Sequence, residues 1–317
     1  MATESATPGA SSGITTPVSQ PPYAKTGDTP RGFAFALSAY LLWGFLPFYM
    51  KAVGHIPAFE VLAHRVVWSL PVAGLVLLAV GRIADIKAAL RSPRILGMAA
   101  VTAVFITINW TTYIWAISVG RTLDTALGYF INPLFSIFLA AVLLKEKLSR
   151  QQLAAIGLVV IAGAIITIDA GGLPWVSLVL TVSWGFYAFF RKTLPVGPNQ
   201  GFFLEVLMLA PFCLAYVIYL ETSGQGHLTQ TGLSDTLLLM ASGVVTAVPL
   251  ILYANGAKLL RLSTIGLMQY IAPTMIFLIA IFVFHEPLNT VRLMAFGLIW
   301  VALVVYSWPM IRQALNR

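Results

Sequence analysis

Trp43-Gly44-Phe45 recurs 141 residues later as Trp184-Gly185-Phe186, and this recurrence decides how the chain is organised. Pro133 likewise recurs as Pro273, at a spacing of 140. Many matches at nearly one spacing indicate an internal duplication, whereas a single match can arise by chance. Further pairs share the spacing of 140: Tyr113 with Tyr253, Glu146 with Glu286, Leu148 with Leu288 and Gly157 with Gly297. The chain is therefore predicted to contain two copies of one unit.

Composition places both copies in a membrane. The 317 residues are 59% hydrophobic and 9% charged, with a mean hydropathy of +0.87. Soluble domains carry about 45–50% apolar and about 25% charged residues, so this chain lacks the polar surface that a water-facing protein needs. Long unbroken apolar runs favour spanning helices of about 20 residues over the alternating strands of a β-barrel.

Ten apolar segments predict an all-α polytopic membrane protein with ten transmembrane helices in two five-helix repeats. Because five is odd, the second repeat enters the membrane inverted, as in many secondary transporters. The predicted division is a disordered tail at 1–30, repeats at 31–170 and 171–310, and a short basic tail at 311–317. A short surface helix is also predicted within 82–91, with Ile83, Ile86 and Leu90 on one apolar face. The apolar segments lie near 33–50, 61–80, 94–118, 122–144, 151–169, 173–191, 202–220, 235–257, 263–284 and 289–309.

The positive charges predict the orientation. With the N-terminus in the cytoplasm, fifteen of the nineteen Lys and Arg residues fall on the inner side, as the positive-inside rule requires. Both termini are then cytoplasmic, and the net charge of +8 reflects topology rather than a nucleic-acid partner. The sequence contains no HExxH, GxSxG or P-loop motif, and its one cysteine has no metal-ligand spacing. It therefore predicts no enzyme, catalytic residue, cofactor or metal site.

Uncharged polar and aromatic residues inside repeat-related helices form the predicted substrate cavity. Pro133 and Pro273 each remove a backbone hydrogen bond nearby, which leaves carbonyl groups available for a ligand or water. An alternative is that the amides bridge helices and that the Trp-Gly pairs only allow close helix packing. The predicted cavity residues are Trp43, Asn109, Tyr113, Asn132, Trp184, Tyr253, Asn255 and Gln269.

A charged cluster at the outer end of the second segment gives candidates for charge recognition and coupling. Glu60 and His64 share a helical face, Arg65 follows, and the spacing of 140 relates Arg65 to Glu205. We hypothesise that Arg65 attracts an anionic group, such as a substrate carboxylate, at the outer mouth. Glu60 or His64 would then titrate during the cycle. The alternatives are an Arg65 that extends to the lipid headgroups and an ion pair that locks one conformation.

Several longer motifs carry a resemblance to a known family. They are Ala39-Tyr40 with Trp43-Gly44 and Pro47, His64–Ser69, Leu127–Leu134, Leu262–Thr264, and Gln269–Ile271 with Pro273-Thr274. These motifs resemble the RarD-type (chloramphenicol-sensitivity) branch of the EamA family, in the drug/metabolite transporter superfamily, and the resemblance covers about residues 31–310. It implies a bacterial inner-membrane location, with a central cavity lined mainly by helices one to four and six to nine, and with helices five and ten at the periphery.

These observations together predict a secondary transporter that moves a small metabolite or drug by alternating access. Its partners are the substrate, the lipid bilayer and a proton or other coupling ion, unless it works by exchange. Two other classes stay open: a membrane enzyme or lipid-handling protein without a recognised motif, and a structural membrane subunit whose polar residues only fasten helices.

Overall fold

A computed structural model describes residues 29–143, 148–169, 171–260, 264–265 and 268–315. Nearly all of the predicted N-terminal tail lies outside these residues, as do Glu146, Arg261 and the last two residues of the basic tail. Within the described ranges the chain forms eleven helices and no strands. They are α1 (Pro30–Ala52), α2 (Ala58–Ala79), α3 (Ile83–Leu90), α4 (Pro93–Ser118), α5 (Thr122–Leu143), α6 (Arg150–Asp169), α7 (Trp175–Thr193), α8 (Pro198–Thr222), α9 (Leu233–Lys258), α10 (Ile271–Phe282) and α11 (Thr290–Leu315).

The helices confirm an all-helical membrane protein, while the count of ten spans stays a prediction. Eight described helices are long and apolar enough to cross a membrane, namely α1, α2, α4, α5, α6, α8, α9 and α11. The predicted segments 173–191 and 263–284 correspond to α7 and to the shorter apolar α10. Part of the segment that precedes α10 lies outside the described residues.

The predicted surface helix is α3, and fewer of its predicted apolar residues are buried against the bundle than the sequence suggested. Ile86 and Ala89 are buried, whereas Ile83 and Leu90, expected on the same apolar face, are exposed. On its polar side, Asp85 accepts hydrogen bonds from Gln200 at 2.9 Å and from Arg82 at 3.2 Å. These two donors, Gln200 first, hold the pKa of the Asp85 carboxyl below its ordinary value.

Hydroxyl groups fix α7 against α5. The Ser177 hydroxyl donates to the Asp124 carbonyl at 2.7 Å, and the Thr181 hydroxyl donates to the Gly128 carbonyl at 2.9 Å. Small polar residues of this kind join helices closely inside a membrane. α7 is also only 19 residues long and carries the basic pair Arg191-Lys192 at its end, so composition alone does not mark it as a span.

The contacts between helices separate a central group from a peripheral pair. α1 packs against α9 and α10, α7 packs against α4 and α5, and α2 packs against α8. α6 and α11 pack chiefly against each other, and α6 leaves Val160 and Ile168 exposed. α6 and α11 therefore lie at the periphery, as the resemblance implied for helices five and ten.

The glycine of each Trp-Gly pair allows a close helix crossing. A Cβ placed on Gly44 would overlap the Met275 side chain of α10, and a Cβ on Gly185 would overlap the Phe135 ring of α5. Lipid gives helices little hydrophobic reason to associate, so packing of this closeness is a main source of their attraction. The glycines of both Trp-Gly pairs therefore permit close helix packing, whatever the role of the tryptophans.

We predict that Gly44→Ala and Gly185→Ala each lower the free energy of unfolding, by about 1–3 kcal/mol, because overpacking forces Met275 or Phe135 to shift. Gly157→Ala is the matched control, since a Cβ at Gly157 meets nothing within 4 Å. Thermal unfolding of the purified protein measures all three. An equal effect at Gly157 and Gly185 would show that the close crossing is not what makes glycine necessary there.

Candidate functional site

A cavity of about 160 Å³ lies where seven helices meet. α1, α2, α4, α5, α7, α9 and α10 contribute to its wall, together with Gln269 just before α10. α8, which the resemblance placed among the lining helices, does not contribute. The lining residues are Tyr40, Trp43, Leu46, Arg65, Asn109, Trp110, Tyr113, Tyr129, Asn132, Trp184, Tyr253, Gln269, Ala272, Pro273 and Ile276.

Seven of the eight predicted cavity residues lie together on this wall. Asn255 is the exception, because its side-chain amide turns back along α9 and donates to the Ile251 carbonyl at 2.8 Å. Arg65, predicted as a charge at the outer mouth, also lines the cavity. The seven residues are Trp43, Asn109, Tyr113, Asn132, Trp184, Tyr253 and Gln269. That they contact a substrate stays a prediction.

Aromatic rings form much of the wall, and both repeated tryptophans take part. The Trp43 ring lies 5.5 Å from the Tyr253 ring and 5.7 Å from the Tyr40 ring, measured between centroids. On the other side, the Trp184 ring lies 6.3 Å from the Tyr129 ring. Such edge and tilted contacts add to the stability of packed rings and give the wall a fixed shape.

Sequence reasoning missed seven lining residues, although helical spacing could have found several. Tyr40 precedes Trp43 by three residues, and Tyr129 precedes Asn132 by three, so each pair shares a helix face. The same spacing relates Trp110 to Tyr113. The missed residues are Tyr40, Leu46, Trp110, Tyr129, Ala272, Pro273 and Ile276.

Asn109 lines the cavity, yet its polar atoms are already used within the protein. Its amide nitrogen donates to the Leu180 carbonyl and to the Ser183 hydroxyl, both at 3.0 Å. Its side-chain oxygen accepts from the Tyr129 hydroxyl at 3.1 Å. Asn109 therefore joins α4, α5 and α7, which is the helix-bridging role that the sequence left as an alternative.

Arg65 reaches the cavity wall and not the lipid headgroups. Its side chain is 3% exposed, and its guanidinium carbon lies 4.6 Å from the centre of the Trp110 ring. Its Nε donates to the Thr246 hydroxyl at 2.9 Å, which ties α2 to α9. The interpretation of Arg65 as a side chain extended to the headgroups is wrong for this structure.

Glu60 and His64 have surroundings that differ from those of Arg65. Glu60 is fully buried at the start of α2. One oxygen of its carboxylate accepts a hydrogen bond from the His227 backbone N–H at 2.7 Å, and the other oxygen lies 2.8 Å from the His227 ring Nδ1. His64 is buried, and neither ring nitrogen has a hydrogen-bond partner among the described residues. Neither residue lines the cavity.

Glu205 likewise lies outside the cavity wall, in an ion pair of its own. Its carboxylate is 3.2 Å from the Arg191 guanidinium and accepts from the Tyr187 hydroxyl at 3.2 Å. Arg191 also donates to the Pro198 carbonyl. Arg65 and Glu205, which the spacing of 140 relates, therefore have opposite environments. Arg65 has no acidic partner in the described residues, whereas the charge of Glu205 is neutralised by Arg191.

Hydrogen bonds join neighbouring helices and loops at both ends of the bundle. At one end, Glu60 holds His227 of the α8–α9 loop, and Glu286 accepts the backbone N–H groups of Thr122 and Leu123 at 2.7 and 2.9 Å. At the opposite end, where α1 begins, Thr29 donates to the Leu259 carbonyl at 3.3 Å. The Glu286 contact also caps the N-terminus of α5 with a negative charge, which the helix dipole favours.

We predict that His227→Ala lowers the free energy of unfolding by about 1–3 kcal/mol, because it removes a partner from the buried Glu60 carboxylate. Adding Glu60→Gln to the His227→Ala protein should recover part of this loss, since a neutral amide costs less to leave unpaired than a carboxylate. Thermal unfolding of both single variants and the double variant completes the cycle. Additive losses in the double variant would contradict a direct Glu60–His227 interaction.

The sequence signature of the EamA-like transporter family matches this chain twice, over residues 30–168 and 172–308. Protein RarD of Streptomyces exfoliatus is 40% identical over 283 residues, which cover 89% of this chain and 90% of that protein. A Vibrio cholerae protein named as an uncharacterized transporter is 36% identical, over 88% of this chain and 93% of its own. A crystal structure with 19% sequence identity superposes with a TM-score of 0.57 over 87% of this chain and 95% of its own, which shows a shared fold alone. The chain therefore belongs to the EamA-like transporter family, in the branch that contains the RarD proteins.

Proposed function

We propose that this protein is a secondary transporter that moves a small metabolite or drug across the bacterial inner membrane by alternating access. An ion gradient, with a proton or another ion, or exchange of two solutes supplies the energy, and no catalytic step is involved. The observation that carries this proposal is the central cavity, to which the helices of both halves of the chain contribute polar and aromatic side chains.

Positions related by the repeat support an inverted duplication with boundaries at 31–170 and 171–310. Trp43 and Trp184 both line the cavity, as do Tyr113 and Tyr253. The close crossings are related in the same way, because Phe135 beside Gly185 corresponds to Met275 beside Gly44 at the spacing of 140. If the two halves were similar in sequence but not in structure, residues related by the repeat would not make equivalent contacts.

The helix neighbours support the same duplication. Let the helices of the first half, α1, α2, α4, α5 and α6, correspond in order to α7, α8, α9, the segment containing α10, and α11. The most extensive helix contacts then each have a counterpart. The α1–α9 contact becomes α7–α4, and the α1–α10 contact becomes α7–α5, which are both present. The α2–α8, α5–α10 and α6–α11 contacts map onto themselves, as expected for contacts on a two-fold axis. We therefore infer ten spans, with α7 and the α10 segment as the two that composition alone does not identify.

The contacts at the two ends of the bundle are compatible with alternating access. In this proposal a substrate leaves the central cavity when one set of end contacts breaks, either those made by Glu60 and Glu286 or that made by Thr29. The positive-inside distribution of Lys and Arg favours cytoplasmic termini, and in that orientation the Glu60 and Glu286 contacts face the periplasm. Helix repeats that rock against one another around a fixed site would break the two sets in turn.

The transport experiment separates this function from a membrane enzyme, a lipid-handling protein and a structural subunit. Proteoliposomes are loaded with the small-molecule fraction of a bacterial cell extract, and the solutes that leave are identified by mass spectrometry. We expect the wild-type protein to release particular solutes that protein-free liposomes retain. If no solute crosses faster than in protein-free liposomes under any imposed ion gradient or counter-solute, a transport function is wrong.

Cavity variants test whether the flux passes through this site. Trp43→Ala and Trp184→Ala should each reduce the flux at least about tenfold, equivalent to about 1.4 kcal/mol of lost interaction. Trp308→Ala is the matched control, because Trp308 is 52% exposed on the outer helix α11 and does not line the cavity. Equal losses at Trp43 and Trp308, at equal amounts of folded protein, would place the path elsewhere.

A further inference from the structure

Arg65 is a buried cation whose charge has no acidic partner among the described residues. It is 3% exposed, and within the described ranges its Nη1 atom has no hydrogen-bond partner and no carboxylate forms an ion pair with it. Arg191 provides the contrast, because Glu205 lies 3.2 Å from its guanidinium. Arg65 thus keeps a donor that no described protein group satisfies.

An unpaired charge in this position is costly unless something else stabilises it. Ionised groups removed from water are normally paired, and those inside membrane helices usually serve a function. The Trp110 ring, 4.6 Å from the guanidinium carbon, and the Thr246 hydroxyl offset part of the cost. Neither supplies a negative charge, so an anion that enters the cavity would complete the environment of Arg65.

Two other lining residues carry unsatisfied polar atoms. The Tyr113 hydroxyl and the side-chain oxygen of Asn132 are buried without hydrogen-bond partners in the described part of the chain. The hydroxyl can donate to a second oxygen of an anion, whereas the Asn132 oxygen accepts only from a donor. Asn109, with its polar atoms already engaged, marks the difference between structural polar groups and those that stay available for a ligand.

The rest of the wall is suited to a flat apolar body. Trp43, Trp110, Trp184, Tyr40 and Tyr253 present aromatic rings, and Arg65 is the only charged residue among the described residues that line the cavity. A cavity of roughly 150 Å³ is enough to hold one benzene ring, and this cavity measures about 160 Å³. A single positive charge with aromatic walls favours an organic monoanion over a strongly hydrated inorganic ion.

We propose that the cavity binds a single-ring aromatic monocarboxylate, with its carboxylate at Arg65 Nη1 and the Tyr113 hydroxyl. A hydrogen-bond donor elsewhere on the ligand, such as a hydroxyl or amino group, meets the Asn132 oxygen. This proposal rests on the transport function and gives it a substrate class. Planar guanidinium groups recognise carboxylates through charge-assisted hydrogen bonds, which neutral amide ligands cannot form with the same strength.

Ligand-induced thermal stabilisation of the purified full-length protein tests the site without requiring transport. The probes are benzoate, 4-hydroxybenzoate and 4-aminobenzoate, each compared with its neutral benzamide counterpart and with inorganic phosphate. We expect the carboxylates to raise the unfolding temperature by several degrees and the amides and phosphate to have little effect. Equal stabilisation by acid and amide, or none by any of the carboxylates, overturns the proposal.

Substitutions locate the binding to Arg65. Arg65→Gln should weaken the apparent affinity for benzoate about 10- to 100-fold, the value of a hydrogen bond to a charged group. Arg65→Lys keeps the charge but not the planar fork, so it should retain the preference for acid over amide at reduced affinity. Arg191→Lys is the matched control and should leave benzoate binding unchanged, because Arg191 is paired outside the cavity.

The outcomes distinguish this proposal from the transport function. If proteoliposomes release only neutral or cationic solutes, and Arg65→Gln leaves that flux unchanged, the carboxylate site is wrong while the transport function stands. If carboxylates bind through Arg65 but no solute crosses, the binding site stands and transport is wrong. If neither Arg65 variant changes the affinity for benzoate, the proposed site is wrong. If both variants fail to fold, the wild-type protein still tests the site, because equal stabilisation by acid and amide overturns it.

Discussion

Buried polar groups in a membrane protein must find their partners inside the protein, because lipid offers none. This constraint sorts the polar residues of the cavity into two kinds. Asn109 satisfies its amide with Leu180, Ser183 and Tyr129, and so fastens three helices. Arg65 leaves part of its guanidinium without a partner among the described residues, and the proposed ligand site follows from that difference.

Close helix crossings create the space in which these groups lie. Gly44 and Gly185 bring α1 onto α10 and α7 onto α5 at equivalent points, which positions the neighbouring tryptophans on the cavity wall. The cavity is therefore built by the same short motif used twice. Different contacts join the helices at the two ends of the bundle, made by Glu60 and Glu286 at one end and by Thr29 at the other. One set can therefore break while the other holds, as the proposed alternating access requires.

The sequence predicted the helical membrane fold and seven cavity residues, because apolar runs and repeat-related polar positions are both visible in one dimension. It did not predict that Asn255 turns back along its own helix, since helical spacing does not report how a side chain satisfies its hydrogen bonds. Nor did it predict the partner of Glu60, because His227 lies in a loop far along the chain. Arg65 was correctly singled out as an unusual charge, but its position at the wall depends on how α2 packs against α9.

The most direct test of alternating access is the accessibility of one cavity position from each side of the membrane. Replacing the single cysteine by Cys213→Ser gives a background in which Leu46→Cys places a unique thiol on the cavity wall. A membrane-impermeant maleimide is then applied to right-side-out and inside-out vesicles, with Phe212→Cys, 76% exposed on α8, as the lipid-facing control. A cavity that opens alternately predicts labelling of position 46 from both sides and not of position 212. Labelling of position 46 from one side only, or from neither, would contradict it.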